Sequence, residues 1–406
     1  MLKSLLNWFL KRLPINEFIA RHLTQYYLPK NLNFWYFFGA LALFVLFLQV
    51  LTGLWLTMFY TPTPEAAFNS IETMMREVPY GWLLRYLHST GASAFFIIIY
   101  CHIFRSLLYG SYQKPRELVW LLGMTLYVLL LIEAFMGYLL PWGQTSYWAS
   151  QVSTSLLTSI PRIGQALTTW VRGNSMVSGE ILHRFFALHI IGVPLLLIFL
   201  VRLHLSALHK VGSNNPDGIC IPVKSQSHKK LLYTIPFHPF YTIKELFTLL
   251  IFLFIFSLVV FFFPEMYGYF LEANNFIPAD PLFTPLHIKP LWYLAPFYGV
   301  LCVIPNQLFG ILIMGSTIAI LFILPWLDRS PVRSMRYRGY YSRFALVVFV
   351  LSFALLSYLS TTIITPIKAF LIQGLLLVYF LFFSLMPFYT KYEKNKPLPK
   401  SILCGK

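Results

Sequence analysis

The sequence predicts an all-α, polytopic membrane protein with eight transmembrane helices. Of its 406 residues, 58% are hydrophobic, 18% aromatic and 11% charged, whereas roughly 25% of residues are charged in a soluble globular chain. Apolar stretches of about 18 to 25 residues, the length that a helix needs to cross a bilayer, recur along the chain. A soluble fold is thereby excluded. The predicted spans are 33–58, 84–108, 118–140, 181–206, 246–264, 308–327, 344–361 and 367–388.

The basic residues predict the topology. The formal net charge is +17, and 24 of the 31 Lys and Arg residues fall on one side of the eight predicted spans, with 7 on the other. Cytoplasmic connections carry such an excess of Lys and Arg, so we expect both termini on the cytoplasmic side. Because this charge lies in short connections rather than on one basic face, nucleic acid is not an expected partner.

The chain divides at a polar connection. We predict an amino-terminal block of four spans over 1–206, a cytoplasmic-side connection over 207–245 and a carboxy-terminal block of four spans over 246–406. The first apolar run has no small-residue cleavage site after it, so it is predicted to be a retained span rather than a secretory peptide. Two longer connections, 142–180 and 264–293, are expected to be functional, the first as short surface helices.

The four cysteines are scattered. Cys101, Cys220, Cys302 and Cys404 have no paired spacing, and none belongs to a Cys-x-x-Cys-His sequence. We therefore expect neither a disulfide framework nor a covalently attached c-type haem.

Four histidines inside apolar spans are the strongest chemical signal, because ionisable side chains within a membrane are costly and usually functional. His88 and His102 are 14 residues apart, and His189 and His204 are 15 apart. On a helix these spacings give a rise of about 21 to 22 Å and leave both rings of a pair on one face. If the two spans are antiparallel, His88 meets His189 and His102 meets His204.

Facing imidazoles at two depths are the arrangement that two bis-histidine haems require, within a four-helix bundle. A single buried histidine is more often an interhelical hydrogen-bonding group, but four matched in depth favour the haem interpretation. A zinc site is disfavoured because each pair lacks further ligands at its own depth.

Glycines and arginines support the same interpretation. Gly39 and Gly53, and likewise Gly123 and Gly137, are again 14 residues apart, and glycine allows the close approach of a flat macrocycle edge to a helix. Simple helix packing would explain one pair but not the shared period. Arg85 and Arg105 each lie three residues from a histidine, where they are placed to pair with haem propionates or to act as interfacial anchors.

With these histidines in place, the sequence resembles cytochrome b of the quinol:cytochrome c reductase complexes over nearly its whole length. The resemblance is carried by GYLLPWGQ at 137–144, RFF at 184–186, the segment 209–216, TPLHIKP at 284–290 and RSM at 333–335. The b6-type relatives are split chains with a haem attached near the amino end, whereas here the halves are fused and no cysteine precedes Cys101. A bacterial bc-type protein is the closer match.

The resemblance implies an activity and a set of partners. Two noncovalent b haems are expected, the low-potential one held by His88 and His189 on the outer side and the high-potential one held by His102 and His204. Quinol is oxidised at an outer site and quinone is reduced at an inner site, coupled to proton translocation. The implied partners are a Rieske iron–sulfur protein, a cytochrome c-type subunit, the quinone pool and a second copy of the complex, in a bacterial inner membrane.

The resemblance also implies an outer quinol site, with two departures from the family pattern. Family members commonly have Pro-Glu-Trp-Tyr here, and Leu291 takes the position of the glutamate. The proton released by quinol therefore needs another route, such as water, Tyr293 or a haem propionate. Ala149 replaces a usual glycine and is expected to weaken inhibitors of the methoxyacrylate type. The residues of this site are Phe135, Tyr138, Gly143, Trp148, Ala149, Pro290, Leu291, Trp292 and Tyr293.

For the inner quinone site, the resemblance implies His209, Ser213, Asn214 and Glu245. His209 follows His204 by five residues near the end of its span, where a histidine can exchange protons at ordinary pH. Glu245 replaces an aspartate and keeps the acid. Tyr293, Glu245 and His209 are the expected proton-handling residues.

Two other functions stay open from sequence. A stand-alone quinone-dependent cytochrome b would work with a different redox partner and lack a Rieske protein. A proton-coupled transporter would use the intramembrane histidines as a relay, although the two halves show no convincing repeat.

Overall fold

The computed structural model describes residues 4, 8, 9, 12, 23–219, 221, 233–288 and 290–399. The chain ends, on which the prediction of cytoplasmic termini rests, lie outside these residues, as do Cys220, Cys404 and Lys289. Within the described part, seven helices are long and apolar enough to cross a membrane. They are Phe34–Thr57, Gly81–Tyr109, Glu117–Leu139, Gly179–Val211, Phe237–Phe262, Tyr340–Ser360 and Pro366–Ser384.

The sixth predicted span, 308–327, is shorter than expected. It contains the 16-residue helix Gln307–Phe322, followed by the short helix Leu324–Leu327. Sixteen residues rise about 24 Å, less than the roughly 30 Å of a bilayer core. Pro325 ends the longer helix early because it has no N–H to donate. The all-α polytopic fold is therefore confirmed, whereas the count of eight full-length spans is not.

The helices and strands have the following bounds. The α-helices are α1 Phe38–Thr57, α2 Ala67–Glu77, α3 Gly81–Tyr109, α4 Glu117–Leu139, α5 Gln144–Ser155, α6 Gly164–Arg172, α7 Gly179–Ala187, α8 Val193–Val211, α9 Thr242–Phe262, α10 Ala295–Val303, α11 Gln307–Phe322, α12 Leu324–Leu327, α13 Tyr340–Ser360, α14 Pro366–Ser384 and α15 Met386–Tyr392. Two short strands, β1 Tyr27–Pro29 and β2 Thr234–Pro236, pair antiparallel with Leu28 opposite Ile235. Short 3-10 helices cover Phe34–Tyr36, Leu156–Ser159, Met266–Gly268 and Ala273–Phe276.

A wide turn joins α7 to α8 within one continuous span. Leu188–Gly192 is π-helical, and the N–H of Val193 bonds the carbonyl of Leu188, five residues back instead of four. Pro194 follows and has no N–H for the carbonyl of Ile190, which removes one α-helical hydrogen bond at this point. Such π-turns occur frequently at functional sites, and this one contains His189.

The helix pairs create a shared interior. Helix α1 packs on α3, α4 packs on α8, and α13 packs on α14. One buried apolar cluster extends from Val45 of α1 through Phe96 of α3 and Met124 of α4 to Phe349 of α13 and Phe383 of α14. The two predicted blocks therefore share a core, although the boundary itself stays a prediction.

The connection between the blocks is shorter than predicted. The span that was predicted to start at 246 begins earlier, because α9 starts at Thr242 and a π-helical segment, Phe237–Tyr241, precedes it. Lys244 and Glu245 consequently lie in the first turn of α9. An acidic side chain there faces the positive end of the helix dipole, which favours a helical first turn.

The first long connection, 142–180, contains short helices as expected, namely α5 and α6. The buried Arg172 holds them together, since its guanidinium donates to Thr154 Oγ1 at 2.7 Å and to the carbonyl of Gln151 at 2.8 Å. The second connection, 264–293, is mostly irregular and is tied to the first through a β-bridge between Gly143 and Pro278. The two segments predicted for the outer site are thus brought together.

Candidate functional site

The two outer histidines face each other. The ring centroids of His88 and His189 are 6.2 Å apart, with the ring planes at 87°. Thr52 Oγ1 donates to the carbonyl of Leu48 at 2.7 Å and lies 2.9 Å from His88 Nδ1, so this nitrogen is the donor. His189 Nδ1 lies 3.0 Å from the carbonyl of Glu133 and donates to it. Both rings therefore keep the lone pair on Nε2, which is the form that binds a metal.

The two inner histidines are paired in the same way. The ring centroids of His102 and His204 are 6.5 Å apart and their planes lie at 61°. In the described part of the chain, Nδ1 of His102 is buried without a hydrogen-bond partner, whereas His204 has the backbone of Val119 beside it. His88 therefore faces His189 and His102 faces His204, which is the pairing expected for antiparallel spans.

Each histidine pair fits one metal ion between its rings. A metal–imidazole nitrogen bond is about 2.0 to 2.1 Å long. Two such bonds, added to the distance from each nitrogen to the centre of its ring, account for the observed separation of the ring centroids. Groups of three or more His, Cys, Asp or Glu side chains suited to a metal are absent from the described residues. Two imidazoles alone suit the axial ligation of haem, because its macrocycle supplies the remaining ligands.

The glycines lie against these imidazoles rather than against a neighbouring helix backbone. A Cβ placed on Gly39 would lie 3.2 Å from Cε1 of His102, and one on Gly53 would lie 3.1 Å from Cε1 of His88. Gly123 and Gly137 have the same relation to His204 and His189, at 3.3 and 2.4 Å. The common period of 14 residues follows from the histidines: each glycine makes room for the ring opposite it.

Two buried cations lie beside the histidine pairs. Arg85 donates to the sulfur of Met75 at 3.1 Å, and Arg105 donates to Ser111 Oγ at 3.2 Å. Neither forms a salt bridge with a carboxylate of the described residues. A buried charge without a counterion is costly, so both guanidiniums fit an anionic group such as a propionate.

A cavity of about 250 Å³ adjoins the outer histidines. Its walls include His88, His189, Arg85 and both outer glycines, and it continues to Tyr138, Leu291 and Tyr293. A second cavity of about 810 Å³ shares Tyr138 and Leu291 with the first and adds Pro290 and Trp292. Five of the nine residues expected at the outer quinol site therefore line one or both cavities.

The other four expected residues are not among those that line the two cavities. Phe135 packs on Phe185 with ring centroids 5.9 Å apart, and Trp148 donates from Nε1 to the carbonyl of Asp280 at 3.2 Å. Ala149 is half-buried in α5. At Gly143 a Cβ would lie 2.4 Å from Oδ1 of Asn275, so this position allows the loop to approach closely.

Tyr293 is held rigidly at the cavity wall. Its ring stacks on Phe96 with centroids 3.8 Å apart and planes at 11°. Its backbone carbonyl accepts a hydrogen bond from the Tyr100 hydroxyl at 2.9 Å. Burial raises the pKa of the Tyr293 hydroxyl well above its usual range, so this group donates a hydrogen bond more readily than it ionises.

The expected inner-site residues are spread over two elements. His209, near the end of α8, lies against Tyr26 with ring centroids 4.8 Å apart. Burial raises the pKa of Tyr26, and the neighbouring Ser213 side chain partly opposes this shift. Asn214 is buried and donates to the carbonyl of Tyr109 at 2.7 Å, which joins this segment to the end of α3. Glu245 lies half-buried in the first turn of α9.

Three side chains at these sites escaped the sequence reasoning. Glu133 lies 3.1 Å from His189 through Oε1, Glu272 lines the larger cavity, and Tyr26 contacts His209. Glu133 could have been identified from the sequence, because it is an acidic residue inside an apolar span. Glu272 and Tyr26 lie in connecting segments, where no periodicity marks them.

Comparison with known proteins agrees with this geometry. The profile described as cytochrome b/b6/petB matches residues 23–212, and the profile described as cytochrome b(C-terminal)/b6/petD matches residues 278–380. The chain belongs to the cytochrome b family. The cytochrome b of Allochromatium vinosum is 50% identical over 405 residues, which cover 98% of each chain.

Two further relatives of this cytochrome b family member place it in a complex III context. A cytochrome b/c1 protein of Bradyrhizobium diazoefficiens is 43% identical over 400 residues, covering 98% of this chain and 56% of that protein. A solved structure described as a hyperthermophilic respiratory complex III superposes with a TM-score of 0.88 at 36% identity, covering 95% of this chain and 99% of that one. The predicted family, and the expectation of a multi-pass cytochrome b subunit of a complex III-type enzyme in an energy-transducing membrane, are confirmed.

Proposed function

We propose that this chain is the quinone-processing subunit of a bacterial quinol:cytochrome c oxidoreductase, with two noncovalent b haems. The observation that carries the proposal is the presence of two facing imidazole pairs, His88 with His189 and His102 with His204, whose ring centroids are 6.2 and 6.5 Å apart. Bound there, the haems would supply one-electron carriers at two depths of the membrane. Arg85 and Arg105 would neutralise their propionates.

Quinol oxidation is assigned to the cavities next to the outer pair. Tyr138 and Leu291 line both cavities, so a ring bound between them would lie close to the outer histidines. The rigid Tyr293 ring fixes one wall and is suited to orient a quinol hydroxyl by hydrogen bonding. The mostly apolar lining excludes water from the site.

The proton released by quinol needs an acceptor other than Leu291. We assign this role to Glu272, whose carboxyl group lines the larger cavity together with Tyr138 and Leu291. A carboxylate at that wall can take up a proton and pass it to the open mouth of the cavity. This assignment replaces Tyr293 as the first acceptor, because burial keeps its hydroxyl protonated.

Quinone reduction is assigned to the opposite end, near His209, Ser213 and Glu245. His209 is placed to donate a proton to reduced quinone, with the ring of Tyr26 lying against it at 32°. Glu245, at the start of α9, would replenish protons from the cytoplasmic side. Uptake there and release at Glu272 together produce net proton translocation.

The same assignment places the chain in a bacterial inner membrane with cytoplasmic termini. It includes a Rieske iron–sulfur partner and a cytochrome c-type subunit, and the likeness to a complex III structure and to a cytochrome b/c1 protein supports these partners. A dimer of the complex is the expected assembly.

Haem quantitation tests the proposal. We expect two noncovalent b haems per chain in a reduced-minus-oxidised spectrum of the purified complex, with one lost in His88→Ala or His189→Ala and the other in His102→Ala or His204→Ala. His183→Ala is the matched control, because His183 lies on α7 but is exposed. A membrane-inserted chain without haem would contradict the proposal and favour a proton-coupled transporter. A haem-loaded complex lacking a Rieske protein would favour a stand-alone cytochrome b.

A further inference from the structure

Among the described residues, the outer histidine pair has an acidic neighbour within salt-bridge distance and the inner pair has none. Oε1 of Glu133 lies 3.1 Å from Nδ1 of His189, and the backbone carbonyl of Glu133 lies 3.0 Å from the same nitrogen. One N–H is therefore shared between a carbonyl and a carboxylate. The side chains of Glu133 and His189 are only 14% and 16% exposed, so solvent screens this contact poorly.

The 14-residue spacing of the glycines on α4 shows which residue takes the place of Glu133 beside the inner histidine pair. Gly137 faces His189 and Gly123 faces His204, so the equivalent of Glu133 at the inner level is Val119, 14 residues earlier. Val119 has no charge. His204 has the backbone of Val119 as its hydrogen-bond neighbour, as His189 has the backbone of Glu133, so the two levels differ in the side-chain carboxylate that only Glu133 adds.

Glu133 has no cationic partner to cancel its charge. The described residues show no salt bridge from Glu133 to any Lys or Arg. Its Oε2 is buried and makes no hydrogen bond within the described part of the chain. The negative charge is therefore directed at the imidazole alone.

A carboxylate that accepts the Nδ1 proton of a metal-bound imidazole makes that imidazole a stronger electron donor. Hydrogen bonding of this kind, together with nearby charge, is one of the means by which a protein sets the potential of a haem. Negative charge stabilises the ferric form, which carries one more positive charge than the ferrous form. The effect is to lower the reduction potential.

We propose that the Glu133 carboxylate acts through His189 to lower the reduction potential of the outer haem relative to the inner one. The inference rests on the proposed function, since it requires haem at both histidine pairs. Glu133 is a positioning and charge-tuning residue here, since it acts on the haem through His189. It offers a physical cause, within this chain, for a potential difference between two otherwise similar ligand pairs.

The test is a potentiometric titration of both b haems in membranes that contain the whole complex. In Glu133→Gln, which keeps the size and removes the charge, we expect the reduction equilibrium of the outer haem to shift at least tenfold toward the ferrous form. A tenfold shift is about 59 mV for one electron. The inner haem should keep its potential, and Glu133→Asp should restore part of the difference.

Two further variants keep the test decisive. Glu133→Met is a second uncharged replacement of similar length, in case the glutamine variant does not assemble. Glu117→Gln removes a carboxylate from the first turn of the same helix and should leave the outer haem unchanged. Two haems per chain with no shift in the uncharged Glu133 variants, or an equal shift of both haems, would overturn the inference alone. Absence of haem from the unmodified complex would instead refute the proposed function.

Discussion

Gly137 lies so close to the imidazole of His189 that a Cβ at this position would come within 2.4 Å of Cε1 and 2.9 Å of Nε2. The second atom is the nitrogen available to a metal. The glycine therefore sets the position of the ligand as well as the spacing of the helices, and the same relation recurs at three other positions at longer distances.

We expect Gly137→Ala to lose the outer haem and to retain the inner one, because the added methyl group must displace the His189 ring. Gly123→Ala, with 3.3 Å to Cε1 of His204, should cause a smaller loss at the inner haem. Haem quantitation with resolved α-band spectra measures both. Gly315→Ala is the control, since nothing lies within 4 Å of its added Cβ; equal haem loss in all three variants would contradict this explanation.

Replacement of Glu272 tests the proton route at the outer cavity. We expect Glu272→Gln to slow quinol oxidation by about 10²-fold, the lower end of what a general base contributes, with unchanged haem content. Steady-state quinol:cytochrome c activity, together with a dithionite difference spectrum, separates the two effects. Leu291→Glu in the same background should recover part of the rate, because it returns a carboxylate to a wall of the same cavity. Full activity in Glu272→Gln would reject the assignment.

Ala149 predicts the response to inhibitors of the outer site. We expect weak inhibition by methoxyacrylate-type compounds, because a methyl group stands where the family commonly has glycine. Ala149→Gly should make the enzyme more sensitive, seen as a lower inhibitor concentration at half-maximal activity. Sensitivity to an inhibitor of the inner site serves as the control and should stay the same. Stoichiometric inhibition of the unmodified enzyme would show that the methyl group does not crowd the site.

A buried ion pair of the carboxy-terminal block is joined to the amino-terminal block through Tyr112. Arg338 and Asp328 are almost fully buried and form a salt bridge, and Tyr112 donates to the same carboxylate oxygen of Asp328 at 2.6 Å. We expect Asp328→Ala to destabilise the protein by about 3 to 5 kcal/mol, because it leaves a buried guanidinium without a counterion. The midpoint of thermal unfolding of the complex reports the change.

The matched control for this pair is Asp217 with Arg336, whose arginine side chain is 50% exposed. Asp217→Ala should cost only about 0 to 1 kcal/mol from this exposed ion pair. Similar losses in the two variants would mean that burial does not determine the strength of these ion pairs.

Much of the fold was predictable because membrane insertion depends on the apolar content of each segment, and that content is local. Seven spans follow from it directly. The length predicted for the sixth span, 308–327, was wrong, since Pro325 ends α11 after 16 residues although the apolar run continues to Leu327. A local backbone restriction therefore overrode the hydropathy signal.

The sequence by itself determined the depths of the four histidines, because the rise of a helix is constant and the spacings of 14 and 15 residues translate directly into height. Only the tertiary structure decided what lies beside them. The contacts of Gly137 and Glu133 with His189 depend on the way α4 packs against the α7–α8 span and on the π-turn that orients the ring. The two cavities beside the outer histidines combine residues of α4 with residues of the 264–293 connection, which ends just before α10. These contacts join residues 52 or more positions apart, and no periodicity within one helix encodes them.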